Sequence, residues 1–270
     1  MRFHGGSIML LISMFLISCD KKETLSEVVE RGLNVSSQQT MFLAEELENQ
    51  EKKLPRTYEN NELKTVGYKS WVSGFFPGVL WYLYENDPTE ELKRYAELYT
   101  SRVEPAKNMT STHDLGFMLY CSFGNGYRLT HDSTYLEVLK TGSKSLATRF
   151  NSKIGAINSW GDRGKWQYPV IIDNMMNLEM LSFVAKKTGK ESYMDMINAH
   201  AQTTLKQHFR PDNSCYHVVS YDTITGLPHA KNTHQGYADE SAWSRGQAWA
   251  LYGYTMMYRE TVSYTHLTLP

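Results

Sequence analysis

Helical periodicity runs through almost the whole of this 270-residue chain. Asp87-Pro88 reads as an N-cap followed by a first-turn proline, after which Leu92, Tyr95, Ala96 and Tyr99 recur on one helix face. Leu136, Leu139 and Leu146 mark a helix after Asp132, and Met175, Leu178, Leu181 and Ala185 mark one that stops near Gly189. Further helices are predicted over 26–52, 76–85, 115–129, 192–208 and 242–259. One strand-like patch, 216–221, runs into Asp222-Thr223-Ile224-Thr225-Gly226 and reads as half of a small hairpin. Successive helices without strands between them exclude a doubly wound α/β sheet and leave an all-α fold, whether bundle, solenoid or α-barrel.

The chain is long enough to bury a sizeable core, and no Pro/Gly/Ser-rich linker follows its N-terminal segment, which favours one domain. Its formal charge is -1 with both signs interleaved, so the basic stripe of a nucleic-acid binder is missing. Arg2 and an apolar run over 8–17 have the length of a signal-peptide core, too short to cross a bilayer. Leu16-Ile17-Ser18-Cys19 resembles a bacterial lipoprotein processing box, in which Cys19 carries the lipid and Asp20-Lys21-Lys22-Glu23 begins a tether. Residues 1–18 are then a signal peptide and 19–25 a tether. The protein is expected in the cell envelope, touching the membrane only through that anchor; a plain cleaved signal with an incidental Cys is the alternative. Cys121 and Cys215 read as isolated buried thiols, and no Cys/His spacing suits zinc. The last nine residues, 262–270, resemble a sequencing adaptor translated in frame, which implies a longer natural protein and a domain, 26–261, that is C-terminally truncated.

One segment mixes residue types that helix packing alone does not require. Glu240-Ser241-Ala242-Trp243-Ser244-Arg245-Gly246-Gln247-Ala248-Trp249-Ala250 places two indoles, a guanidinium and an amide within a few turns. Trp243 and Trp249 offer flat platforms for a sugar face, and Arg245 a forked donor for hydroxyls or a carboxylate. Asp114 and Asp173 each stand just before an apolar helix, where a carboxylate commonly caps free amides. Glycine-rich phosphate loops, nucleophile elbows and metal motifs are missing from the sequence, and no cofactor is expected. Met175, Met176 and Met180 read as core filling.

That tryptophan-rich segment, together with Thr112-His113-Asp114-Leu115-Gly116-Phe117 and Ile172-Asp173-Asn174-Met175-Met176-Asn177-Leu178, resembles the unsaturated glucuronyl hydrolases of glycoside hydrolase family 88. The three motifs stand in the family's order and the likeness spans roughly residues 71–258. It implies an (α/α)6 barrel with its site in the loops at one mouth, and here an incomplete one, because the eight predicted helices fall short of the twelve of a full ring. It implies a hydrolase that removes a 4,5-unsaturated uronic acid from lyase-generated, glycosaminoglycan-type oligosaccharides by hydrating the double bond. Asp173 is then the general acid and base and Asp114 assists from across the site. His113, His217, Gln235, Trp71 and Trp160 join Trp243, Arg245 and Trp249 as substrate contacts. Two alternatives stay open: an unsaturated rhamnogalacturonyl hydrolase acting on pectin fragments, and a non-catalytic, lipid-anchored sugar-binding protein.

Overall fold

The computed structural model describes residues 22–161 and 164–261. The expected signal peptide, Cys19 and the 262–270 tail lie outside the described residues. Among the described residues eight α-helices dominate: α1 (Leu25–Leu47), α2 (Phe75–Asn86), α3 (Glu90–Val103), α4 (Asn125–Thr130), α5 (Ser133–Ala147), α6 (Leu178–Thr188), α7 (Glu191–His208) and α8 (Ser244–Thr261). Their ends follow local chemistry. Thr24 and Glu27 form a reciprocal capping box on α1, Asp132 accepts the Thr134 amide at the start of α5, and Gly189 closes α6 with φ 71°.

Three sequence expectations need correction. Asp87 does not cap α3; the proline after it holds it extended, at φ -139° and ψ 92°, so it ends α2, and the hydroxyl of Thr89 accepts the Leu92 amide instead. The helix predicted over 115–129 is a π-helix, Gly116–Gly124, running into α4. Strands do intervene. β1 (Leu54–Glu59) and β2 (Glu62–Val66) form a hairpin around Asn60 and Asn61, both at positive φ, the turn geometry that matches strand twist. β3 (Phe150–Asn151) pairs with β4 (Ala156–Ile157), and β5 (Pro169–Ile171), β6 (Val218–Tyr221) and β7 (Pro228–Asn232) make an antiparallel sheet in that order. The half-hairpin at 216–221 is borne out by β6 and β7. The strands are two to six residues long, so the fold remains all-α.

Connection lengths explain where the site lies. Residues 87–89 join α2 to α3, 131–132 join α4 to α5 and 189–190 join α6 to α7, so each pair folds back as a helical hairpin. The long connections gather at the opposite end, where they carry β3 to β7 and lead into the starts of α2, the π-helix, α6 and α8. Beneath them the core packs Leu80, Leu119, Leu139, Leu181 and Met257, all fully buried. Among its large aromatics, Trp81 Nε1 donates to Thr100 at 2.9 Å and the Tyr99 hydroxyl to the Ala44 carbonyl at 2.6 Å.

Candidate active site

Asp173 is the second residue of a 3-10 turn, Ile172–Asn177, that leads into α6. Strand β5 delivers it: Ile171 pairs with Val218, and the Ile172 amide donates to the His217 carbonyl at 3.0 Å, which fixes His217 beside Asp173. Asn174 anchors the same turn by donating to the Ile157 carbonyl at 2.8 Å. Asp114 sits two residues before the π-helix. The Thr112 hydroxyl donates to its Oδ2 at 2.7 Å, His113 Nε2 lies 3.2 Å from Oδ1, and the His113 amide donates to the Ser159 carbonyl. Neither the π-helix nor the 3-10 turn has a side-chain cap, so the two carboxylates do not serve as helix caps. Between them the backbones touch: the Phe117 amide donates to Asn177 Oδ1 at 2.9 Å, and a Cβ on Gly116 would stand 2.6 Å from the Asn177 Cα.

The two carboxylates are pushed apart in acidity. Asp173 is 8% exposed, and its Oδ2 has no hydrogen-bond partner among the described residues. Its carboxyl is raised to about 6, chiefly by burial and also by the charge of Asp114, against the lowering effects of His113, its own backbone amide and Arg245. Burial also pushes Asp114 upward, but the charge and hydrogen bond of His113, the Thr112 hydroxyl and Arg149 outweigh it and hold that carboxyl below its usual value. One group therefore keeps a proton that the other has lost.

His217 is pushed down to about 3, chiefly by burial and then by His234, His208, Arg245 and His113, so its ring is neutral at physiological pH. Its Nδ1 accepts the amides of His234 and Gln235 at 3.0 and 3.2 Å, which places the ring proton on Nε2. That nitrogen lies 3.6 Å from Asp173 Oδ2.

A 170 Å3 pocket opens over Asp173, walled by Trp71, Asp114, Phe117, Trp160, His234 and Arg245 among others. Of the residues singled out in the sequence, Asp173, Asp114, His113, Trp71, Trp160, Gln235 and Arg245 line it together. His217, Trp243 and Trp249 stand behind the wall. The Trp243 ring is 4.3 Å from the His217 ring and 4.6 Å from the Arg245 guanidinium, and Trp249 packs on Phe117 at 5.5 Å. Arg245 in turn donates to the Gln235 side-chain carbonyl, tying the loop after β7 to the start of α8. Sequence reasoning missed Phe117, Ile171 and His234 as lining residues. Phe117 lies inside a motif already singled out and His234 stands next to Gln235, so their neighbourhood was a usable signal; Ile171 had none.

The glycosyl hydrolase family 88 model matches residues 42–267. The chain is 48% identical over 198 residues to the unsaturated glucuronyl hydrolase of Formosa agariphila, covering 73% of itself and 50% of that protein. It is 32% identical over 253 residues to the unsaturated chondroitin disaccharide hydrolase of Streptococcus agalactiae, covering 92% of itself and 62% of that protein. It thus spans about half of the first relative and about three fifths of the second. A solved unsaturated glucuronyl hydrolase specific for heparin superposes with a TM-score of 0.82 at 44% identity, over 88% of this chain and 64% of the other. The shared fold is the (α/α)6 barrel.

Proposed function

The chain belongs to glycosyl hydrolase family 88, and from that membership and the paired carboxylates we propose that it removes a 4,5-unsaturated uronic acid from glycosaminoglycan-type oligosaccharides. The observation that carries this reading is the buried Asp173, which holds its proton up to about pH 6, facing a pocket that also holds the ionised Asp114. In the proposed reaction the Asp173 carboxyl gives its proton to C4 of the C4–C5 double bond while a water oxygen bonds to C5. The carboxylate left behind takes up the water proton. The resulting C5 hemiketal opens by breaking its bond to the ring oxygen, and the hemiacetal so formed at C1 expels the remaining sugar as an alcohol. Asp114 holds substrate hydroxyls, and His217, its Nε2 3.6 Å from Asp173 Oδ2, backs the Asp173 carboxyl from behind the wall. The bond attacked is an enol ether, so the site differs from the ordinary pair of carboxylates flanking a glycosidic oxygen.

Incubation with an unsaturated chondroitin disaccharide is expected to bleach the ultraviolet absorbance of the conjugated double bond and release a 4-deoxy-5-keto-uronate. Binding without loss of absorbance would leave a sugar-binding protein in place of an enzyme.

The proton on Asp173 sets the pH dependence. A raised pKa means that the acid form is populated below about 6 and lost above it. On the alkaline side kcat/KM is therefore expected to fall about tenfold per pH unit beyond that point, and a profile flat from pH 6 to 8 would count against Asp173 as the acid. We further propose that Cys19 is lipidated. Cys19→Ser is expected to move the protein from the membrane fraction to the soluble fraction with kcat unchanged, and continued membrane association would remove the anchor.

A further inference from the structure

Two histidines on α7 take no part in the chemistry over Asp173. Buried residues of that helix recur at Tyr193, Ile197, His200, Ala201, Thr204 and His208, the spacing of three and four that gives a helix one inward face. His200 and His208 are both fully buried on it, and eight residues of helical rise set them about 12 Å apart along the axis. Burial pushes His200 down to about 3, with His208 and His113 adding to the effect. Burial likewise pushes His208 down to about 4, helped by Lys231 and opposed by the Val170 carbonyl. Both rings are neutral at physiological pH, and a neutral imidazole has one donor and one acceptor nitrogen.

Each ring gives one nitrogen to the backbone of a strand. His200 Nδ1 accepts the Ile157 amide of β4 at 3.0 Å, so its proton sits on Nε2. His208 Nε2 lies 3.0 Å from the Val170 carbonyl of β5, and because a carbonyl only accepts, that nitrogen is the donor. The remaining nitrogens, His200 Nε2 and His208 Nδ1, are buried with no hydrogen-bond partner among the described residues. A buried polar atom left unpaired lowers stability, so packing alone would favour an apolar side chain at both places. What an apolar side chain cannot supply is the acceptor at Ile157 and the donor at Val170.

Those two strand residues bracket the catalytic turn. Val170 stands three residues before Asp173 in the strand that leads into it. Ile157, held through its amide by His200, offers its own carbonyl to Asn174 Nδ2 at 2.8 Å, one residue after Asp173. We infer that His200 and His208 are positioning residues for Asp173: α7 holds β4 and β5 through one acceptor and one donor, and those strands hold the turn that carries the acid. The inference rests on the proposed hydrolase activity and adds to it two groups that lie outside the pocket.

Exchanging the rings for amides separates positioning from packing. The side-chain oxygen of an asparagine falls where histidine has Nδ1, and the side-chain nitrogen of a glutamine falls where histidine has Nε2. His200→Asn therefore keeps the acceptor and His200→Gln misplaces it, whereas His208→Gln keeps the donor and His208→Asn withdraws it. In the matched variants, His200→Asn and His208→Gln, kcat on an unsaturated chondroitin disaccharide is expected within about threefold of the unsubstituted protein, the scale of a small residual misfit. In the mismatched variants it is expected to fall about tenfold to a hundredfold with KM little changed, the scale of a displacement of up to about 1 Å. The alkaline limb should move too, because a loosened turn lets water reach Asp173 and brings the midpoint of kcat/KM below about 6. The groups that face this carboxyl, Asp114 and His113 ahead of the π-helix, His217 ahead of β6 and Arg245 on α8, are retained in all four variants, so the shift reports enclosure.

Equal kcat and an unmoved midpoint in matched and mismatched variants would overturn the inference. So would a loss that follows side-chain length alone, with both asparagines weak and both glutamines normal. Failure of any of the four to melt cooperatively would show that the rings maintain the fold and not the turn, and would overturn it as well. If the unsubstituted protein turns over no unsaturated disaccharide, the activity falls by itself, and the Asp173 carboxyl is then followed by carbon-13 NMR titration. The same split between matched and mismatched variants is expected there, and one midpoint common to all four would overturn the positioning role.

Discussion

Asp173→Asn is expected to lower kcat by about 10²–10⁴-fold while leaving substrate affinity within a few fold. The amide keeps the shape of the side chain in a site that is 8% exposed, so the pocket walls stay in place. It has no acidic proton to deliver to C4 and no carboxylate to recover one from water. Asp173 carries this burden because His217, neutral and with its proton on Nε2, and Asp114, held ionised, cannot replace an acid near pH 6. Single-turnover bleaching of an unsaturated disaccharide, paired with calorimetric binding, measures the two quantities separately. An Asp173→Asn protein with near-normal kcat would remove this residue from the mechanism, and one that had lost binding would show a structural role.

Gly116→Ala should damage both stability and chemistry through one added carbon. That carbon would stand 2.6 Å from the Asn177 Cα, 2.8 Å from its Oδ1 and 3.0 Å from its carbonyl oxygen. Two of those three atoms are backbone, so relief requires the π-helix behind Asp114 or the turn behind Asp173 to move. Overpacking of this kind costs about 1–3 kcal/mol, and a displacement of about 1 Å between catalytic groups can cost roughly 10²-fold in rate. Asn177→Ala gives the contrasting case. It keeps the close crossing but leaves the buried Phe117 amide without its acceptor, a loss of about 1–3 kcal/mol. Thermal melts with kcat on the same preparations test both. Normal Tm and normal kcat in Gly116→Ala would show that the crossing has slack and that the carboxylates are positioned by other contacts.

The features legible in the amino-acid sequence were local. Helix starts and stops at Asp132 and Gly189 were legible because a cap or a left-handed glycine acts within a few residues. The β6–β7 hairpin was visible in its turn residues, and Asp114, Asp173 and Arg245 were visible in short motifs. Thr89 was passed over because Asp87-Pro88 imitates a helix start, and only the extended backbone that the proline imposes shows it to be an end. The π-helix was not legible, since apolar spacing over nine residues hardly separates it from an α-helix. The tertiary structure alone decided the rest. Whether Asp173 keeps its proton depends on burial by segments far from it in sequence, because desolvation is a property of the whole enclosure. Trp243 and Trp249 looked like sugar platforms by residue type, yet the packing of α8 sets them behind Arg245 and Phe117, while Arg149, which carried no motif, is brought near Asp114 by β3 and β4. Residue type states what a side chain can do; which groups share one desolvated pocket is settled only when elements distant in sequence pack together.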